Sequence, residues 1–167
     1  MNGLVVRALL AFLALPGSAT VLVPWLVLWW GGGGLASRGV RLAGVMPLAI
    51  GGLLLLWCVI DFARVGRGTL APIDPPRVLV RRGLYRLMRN PMYVAVLTIL
   101  VGEALVFGSW AIAAWAAVLA AAFHLRVIWY EEPVLRRTFG PAFDEYCRTV
   151  PRWIPRRRGP RPGEGSL

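Results

Sequence analysis

The chain has 167 residues, 57% of them hydrophobic, with a mean hydropathy of +0.62 and a formal net charge of +11. That is too apolar for an ordinary soluble domain and leaves no room for a second folded unit, so one membrane-embedded, all-α domain over residues 1–155 is expected. Every basic residue is arginine and these flank apolar runs, a pattern that suits an anionic lipid surface; nucleic acid is not expected as a partner.

In chain order, the first apolar segment covers residues 8–30 and is interrupted by Pro16 and Pro24. Arg7, the run that follows it and Gly17-Ser18-Ala19 resemble a cleavable signal. The apolar run nevertheless continues to Trp30, and cleavage would leave a stub too short to span, so an uncleaved first helix is expected. Glycines 31–34 read as an external turn; they lack the strand and helix context of a phosphate loop. The second segment, residues 42–60, is closed by Asp61. An arginine-rich connection with prolines at 72, 75 and 76 leads to a third segment at residues 92–107, which carries Glu103, read as reaching the nearby headgroups. Gly108-Ser109 predicts a tight hairpin into a fourth segment at residues 110–125, ending at Arg126. A spanning helix needs about 20 apolar residues, so the pattern predicts about four transmembrane helices.

Beyond the fourth segment, Pro133 is expected to kink or end the helix near Tyr130, because proline lacks a backbone donor and clashes one turn back. Gly140-Pro141 reads as a stop followed by a new start. The helix after it puts Phe143, Tyr146 and Val150 on one face, predicting an amphipathic C-terminal helix. Residues 156–167 are basic and rich in glycine and proline, and are expected to be disordered. The arginines gather in the connection between segments two and three and in the tail, leaving Arg38 and Arg41 on the other side. That asymmetry puts both termini and the working face in the cytoplasm, in a cell inner membrane. Trp25, Trp29, Trp30 and Trp110 fit an outer aromatic belt. Cys58 lies in an apolar span and Cys147 in a polar segment, so no disulfide is expected. With His124 the sole histidine, neither is a metal site.

The run Gly83-x-Tyr85-Arg86-x-x-Arg89-x-Pro91-x-Tyr93 leads into the hairpin and is followed by Glu131-Glu132, Phe139-Gly140, Tyr146 and Val150-Pro151-Arg152. This series resembles the integral membrane methyltransferases of the isoprenylcysteine carboxyl methyltransferase and phospholipid N-methyltransferase superfamily, over roughly residues 77–155. The resemblance implies S-adenosylmethionine as cofactor, held by helix ends and loops rather than by a Rossmann domain. By position it implies cofactor contacts from Arg77, Val78, Leu79 and Val80, from Tyr85, from Asn90, Pro91, Met92 and Tyr93, and from Glu131. Asn90 replaces the usual histidine, and Ala95 stands where glycine is common. The prenylcysteine enzymes carry a substrate-contacting arginine four residues before the glutamate. Val127 occupies that position here, and Arg126, one residue earlier, falls about 100° round an α-helix.

The residue types suit such a cofactor. A glutamate accepts from ribose hydroxyls or an ammonium, Arg89 can pair with a carboxylate in fork geometry, and Tyr85 and Tyr93 offer ring surface and hydroxyls. On the acceptor side the candidates are His124 and Glu132, as bases for a protonated acceptor, and Arg126. Each has a competing structural reading: Glu131 and Glu132 as ion-pair partners of Arg126 or Arg136, His124 as an interfacial residue, and Arg81, Arg82 and Arg86 as topogenic charges. The acceptor is expected to be a lipophilic carboxylate, amine or thiol reaching the site from the bilayer. Two other readings are an NADPH-dependent reductase of the steroid-reductase type, against which the acid pair argues, and a non-catalytic membrane adaptor.

Overall fold

The structure, a computed structural model, describes residues 13–34, 36–65, 79 and 81–155. Arg77, Val78 and Val80, and the tail at 156–167, lie outside the described residues. Among the described residues the fold is all-helical. A π-helical stretch, Leu13–Leu22, continues into α1 (Val23–Trp29). The long α2 (Arg38–Val65) follows, then a single 3-10 turn at Gly83–Arg86, and the hairpin of α3 (Pro91–Phe107) and α4 (Trp110–Arg126). A π-helical turn at Val127–Glu131 joins α4 to α5 (Glu132–Phe139), and α6 (Pro141–Thr149) closes the described chain.

Two stretches, Arg38–Asp61 and Trp110–Phe139, are long and apolar enough to cross a membrane. Pro16–Trp29 and Pro91–Phe107 are apolar but shorter. The outward-facing side chains are largely hydrophobic, among them Leu53, Leu56, Trp57 and Val118. In water such a surface would be untenable for a monomer; against lipid tails it is neutral. The protein is thus of the membrane class.

With no hydrophobic drive between helices in lipid, contact depends on close approach, and glycine supplies it between α2 and α3. A methyl group at Gly102 would meet the Leu48 backbone nitrogen at 2.5 Å, and one at Gly51 would meet the Ile99 nitrogen at 2.7 Å. Ala95, Ile99 and Leu100 fill the seam from α3, Leu55 from α2 and Ile112 and Ala116 from α4. Because backbone rather than a flexible side chain blocks the added volume, Gly102→Leu is expected to separate α2 from α3. A lowered thermal midpoint and poor recovery from detergent extraction, against Gly52→Leu as a control whose added methyl meets nothing, check this.

The predicted hairpin forms. Gly108 adopts φ +59, and the Ser109 hydroxyl oxygen caps α4 by accepting from the Ile112 N–H at 3.3 Å. The same hydroxyl donates to the Gly32 carbonyl, and the Gly34 N–H donates to the Phe107 carbonyl at 3.0 Å. Both turns therefore lie at one end of the bundle, where Trp25, Trp29, Trp30 and Trp110 are exposed. Residues 89–93 and 126–132 lie at the other.

Of the two outcomes expected at Pro133, a kink or an end near Tyr130, the helix does not end but changes to a π turn there. The chain passes from α4 to α5 without a break, and the backbone takes up the proline by widening to a π turn immediately before it. The ring thus sits in the first turn of α5, where its missing N–H costs little. Glu103 is partly buried, with one carboxylate oxygen enclosed and without a hydrogen-bond partner among the described residues. The amphipathic C-terminal helix is present as α6, with Phe143 and Tyr146 buried alongside Val150.

Candidate functional site

Three chain segments converge at the end of the bundle opposite the hairpin turn: the loop into α3, the π turn after α4, and the strap after α6. Pro91 starts α3, its fixed φ suited to a first helical position. One turn in, the Tyr93 hydroxyl donates to Glu131 Oε1. The Tyr93 ring stacks on Phe123 of α4 with centroids 4.3 Å apart, and Trp153 lies 6.4 Å away on the strap. The phenol is thus fixed by packing as well as by its hydrogen bond.

Glu131 also accepts from Arg126 Nε at 2.9 Å. This is the ion pair with Arg126 that the sequence offered as the structural reading of Glu131. In a regular α-helix, residues five apart do not share a face. The π turn inserts one extra residue per turn and brings Arg126 round to Glu131, while Val127 is buried. The Arg126 guanidinium also stands over the Tyr130 ring at 5.5 Å.

Glu132 belongs to a second network. It accepts from Arg89 at 2.9 Å and from Arg152 through two bonds of 2.7 and 3.0 Å. With side-chain exposures of 12% for Arg89 and 14% for Glu132, this is a semi-buried pair, not a surface one. Arg89 donates further to Cys147 Sγ at 2.7 Å, while its Nε is buried with no partner among the described residues. Burial raises the Cys147 thiol pKa despite the neighbouring guanidinium, so the sulfur stays protonated near neutrality. The hydrogen bond that Arg152 donates to Glu132 raises its guanidinium above its ordinary value. Arg136 pairs with Asp144 at 2.8 Å on the surface, not with either glutamate.

The strap is tied down along its length. The Arg89 N–H donates to the Pro151 carbonyl at 2.9 Å, and the Asn90 side-chain amide donates to the Arg152 carbonyl at 3.2 Å. Asn90, in the family's histidine position, thus spends an amide proton holding the strap. Tyr146, its phenol pushed up to about 12 by burial, donates to the Tyr85 carbonyl at 2.7 Å and pins the 3-10 turn under α6. Burial likewise raises the Tyr85 phenol, whose neighbours include Cys58, Tyr93 and Asp61.

Of the residues singled out from sequence, Arg89, Asn90, Tyr93, Arg126, Glu131 and Glu132 are brought together. His124 joins them through Trp153, its ring 6.0 Å from the indole. Tyr85 lies just beneath. Pro91 is buried, Met92 packs on the helical core, and Leu79 packs on the Phe143–Tyr146–Val150 cluster. Sequence reasoning counted Arg152 among the topogenic charges and gave Trp153 and Phe123 no role. The signal for Arg152 was its place in Val150-Pro151-Arg152, but nothing in its spacing from Glu132 announced the pair.

Among known proteins, the chain is similar to the nickel-cobalt-cadmium resistance protein NccN of Alcaligenes xylosoxydans xylosoxydans, with 30% identity over 120 residues, 72% of this chain and 52% of that protein. It spans about half the length of that curated relative. Residues 40–142, well over half the chain and including α3, the π turn and both glutamates, match the phospholipid methyltransferase family. On that match the chain belongs to the phospholipid methyltransferase family, within the superfamily that also holds the isoprenylcysteine carboxyl methyltransferases.

Proposed function

We propose that this protein transfers a methyl group from S-adenosylmethionine to a lipophilic acceptor at the cytoplasmic face of the membrane. The observation that carries the reading is the meeting of Tyr93 and Glu131, from opposite arms of a hairpin, beside the Arg89–Glu132–Arg152 network. The donor set fits the cofactor's functional groups. Glu131 offers acceptor oxygens for hydroxyls or an ammonium, the buried and unpartnered Arg89 Nε offers a donor for a carboxylate, and the Tyr93, Phe123 and Trp153 rings offer flat surface.

Held by Glu131, Arg89 and the Tyr93 ring, S-adenosylmethionine would supply an electrophilic methyl group for the acceptor's lone pair. The chain's contribution is positioning and exclusion of water. The π turn aims Glu131 and Arg126 at Tyr93, and the strap covers them with Trp153. Glu132 already neutralises two arginines, so proton removal from an amine or thiol acceptor falls to His124, which lies beside Trp153 with no hydrogen-bond partner among the described residues.

Both glutamates stand among the site's arginines, and carboxylates there disfavour the extra phosphate of NADPH. Isothermal titration of the purified protein is expected to show binding of S-adenosylhomocysteine and none of NADPH; the reverse result would falsify the methyltransferase reading. The acceptor's chemical class, the cell inner membrane and a cytoplasmic location of both termini belong to the same proposal. They are supported by family membership and by the arginine asymmetry.

A further inference from the structure

Beside the Tyr93–Glu131 pair, α3 and α4 bound an open groove of about 580 Å³. On α3, Val94, Leu97, Thr98 and Val101 line it at i, i+3, i+4 and i+7, a single row of side chains. Opposite them Ala120 stands one turn before His124 on α4, and its small side chain creates the recess. The Thr98 hydroxyl is already spent on the Val94 carbonyl at 2.7 Å, so the walls present hydrocarbon along their length. From Val94 to Val101 the row runs about 10 Å at the α-helical rise. Only one end is polar. There Trp153 also lines the groove, 6.0 Å from His124 and 6.4 Å from Tyr93.

We propose that this groove seats one hydrocarbon chain of the methyl acceptor, with the acceptor's head at the His124–Trp153 end, and that Trp153 sets how bulky a head can reach Tyr93. The inference rests on the methyl-transfer reading and specifies its substrate: an amphiphile with a hydrocarbon chain that lies along the groove. Bulk lipid can also lie against apolar walls. What marks this slot out is its continuity, through one indole, with the Tyr93 ring. Trp153 is well placed to discriminate because the strap is fixed at Pro151 and Arg152, immediately before it, by bonds from Arg89, Asn90 and Glu132.

The test uses the full chain in lipid nanodiscs and a single-chain amphiphile carrying a diazirine in its tail. After irradiation, label is expected on the α3 and α4 rows around Leu97 and Ala120. Ala120→Trp, which fills the recess, is expected to lower that labelling and raise the acceptor KM by about tenfold or more, while affinity for S-adenosylhomocysteine stays within about twofold. Trp153→Ala is expected to raise the ratio of bulky-headed to small-headed acceptors methylated by about tenfold. Label spread evenly over lipid-facing positions such as Trp57 and Val118, and indifferent to Ala120→Trp, overturns the groove assignment while leaving methyl transfer standing. A wild-type protein that takes label in the groove but fails to bind S-adenosylhomocysteine removes the methyl-transfer reading, and with it the identity of the occupant.

Discussion

Glu131→Gln is expected to weaken S-adenosylhomocysteine binding by about tenfold to a hundredfold, with the helical circular-dichroism signal unchanged. The carboxylate accepts from both the Tyr93 hydroxyl and Arg126, so the substitution removes a charge that two donors share. Hydrogen bonds to charged groups contribute about 1.5–3 kcal/mol, which sets the range. Tyr93→Phe is the matching change: it deletes the donor and keeps the ring that stacks on Phe123. Because the two side chains act through one contact, the double variant should lose much less than the sum of the single losses. Titration calorimetry on the three variants checks this. Unaltered affinity in all of them would favour the adaptor reading over an enzyme.

Glu132→Ala is expected to act on stability first. It leaves the Arg89 and Arg152 guanidiniums facing each other without a counter-charge, and Arg89 is only 12% exposed. Removing one partner of a buried pair costs about 3 kcal/mol or more, which for a chain of this size lowers the thermal midpoint by roughly 6–12 °C. The strap should loosen as well, since Arg152 loses both of its carboxylate bonds. Trypsin cleavage after Arg152 is therefore expected to accelerate well before the helices are attacked. Glu145→Ala, at an exposed residue of α6, serves as the control. An unshifted midpoint together with unchanged cleavage would mean that the network holds nothing down.

Much of this architecture is legible in the order of residues because local rules dictate it. Gly108-Ser109 could only turn: a glycine in the left-handed region ends one helix and a hydroxyl caps the next. Pro91 started α3, and the spacing of Phe143 and Tyr146 announced the buried face of α6. The convergence of residues 83–93 with Glu131-Glu132 followed from counting segments, since two antiparallel helices return the chain to the side it left.

What the residue string did not disclose is how the pieces meet. Reading Arg126 on a strict 3.6-residue period left its pairing with Glu131 as one alternative among several. Backbone accommodation of Pro133 by a π turn brought it to Glu131, and that choice depends on neighbours packed against both sides of the helix. Partners for Glu132 were equally hidden. Charge attraction is non-directional along the sequence, and the chain offers many arginines, so only the docking of α6 and its strap selects Arg152 over Arg136. Composition, turns and periodicity thus determined the membrane helices and their order. Tertiary packing alone decided which arginine meets which acid, because long side chains can reach several partners and the fold leaves room for one.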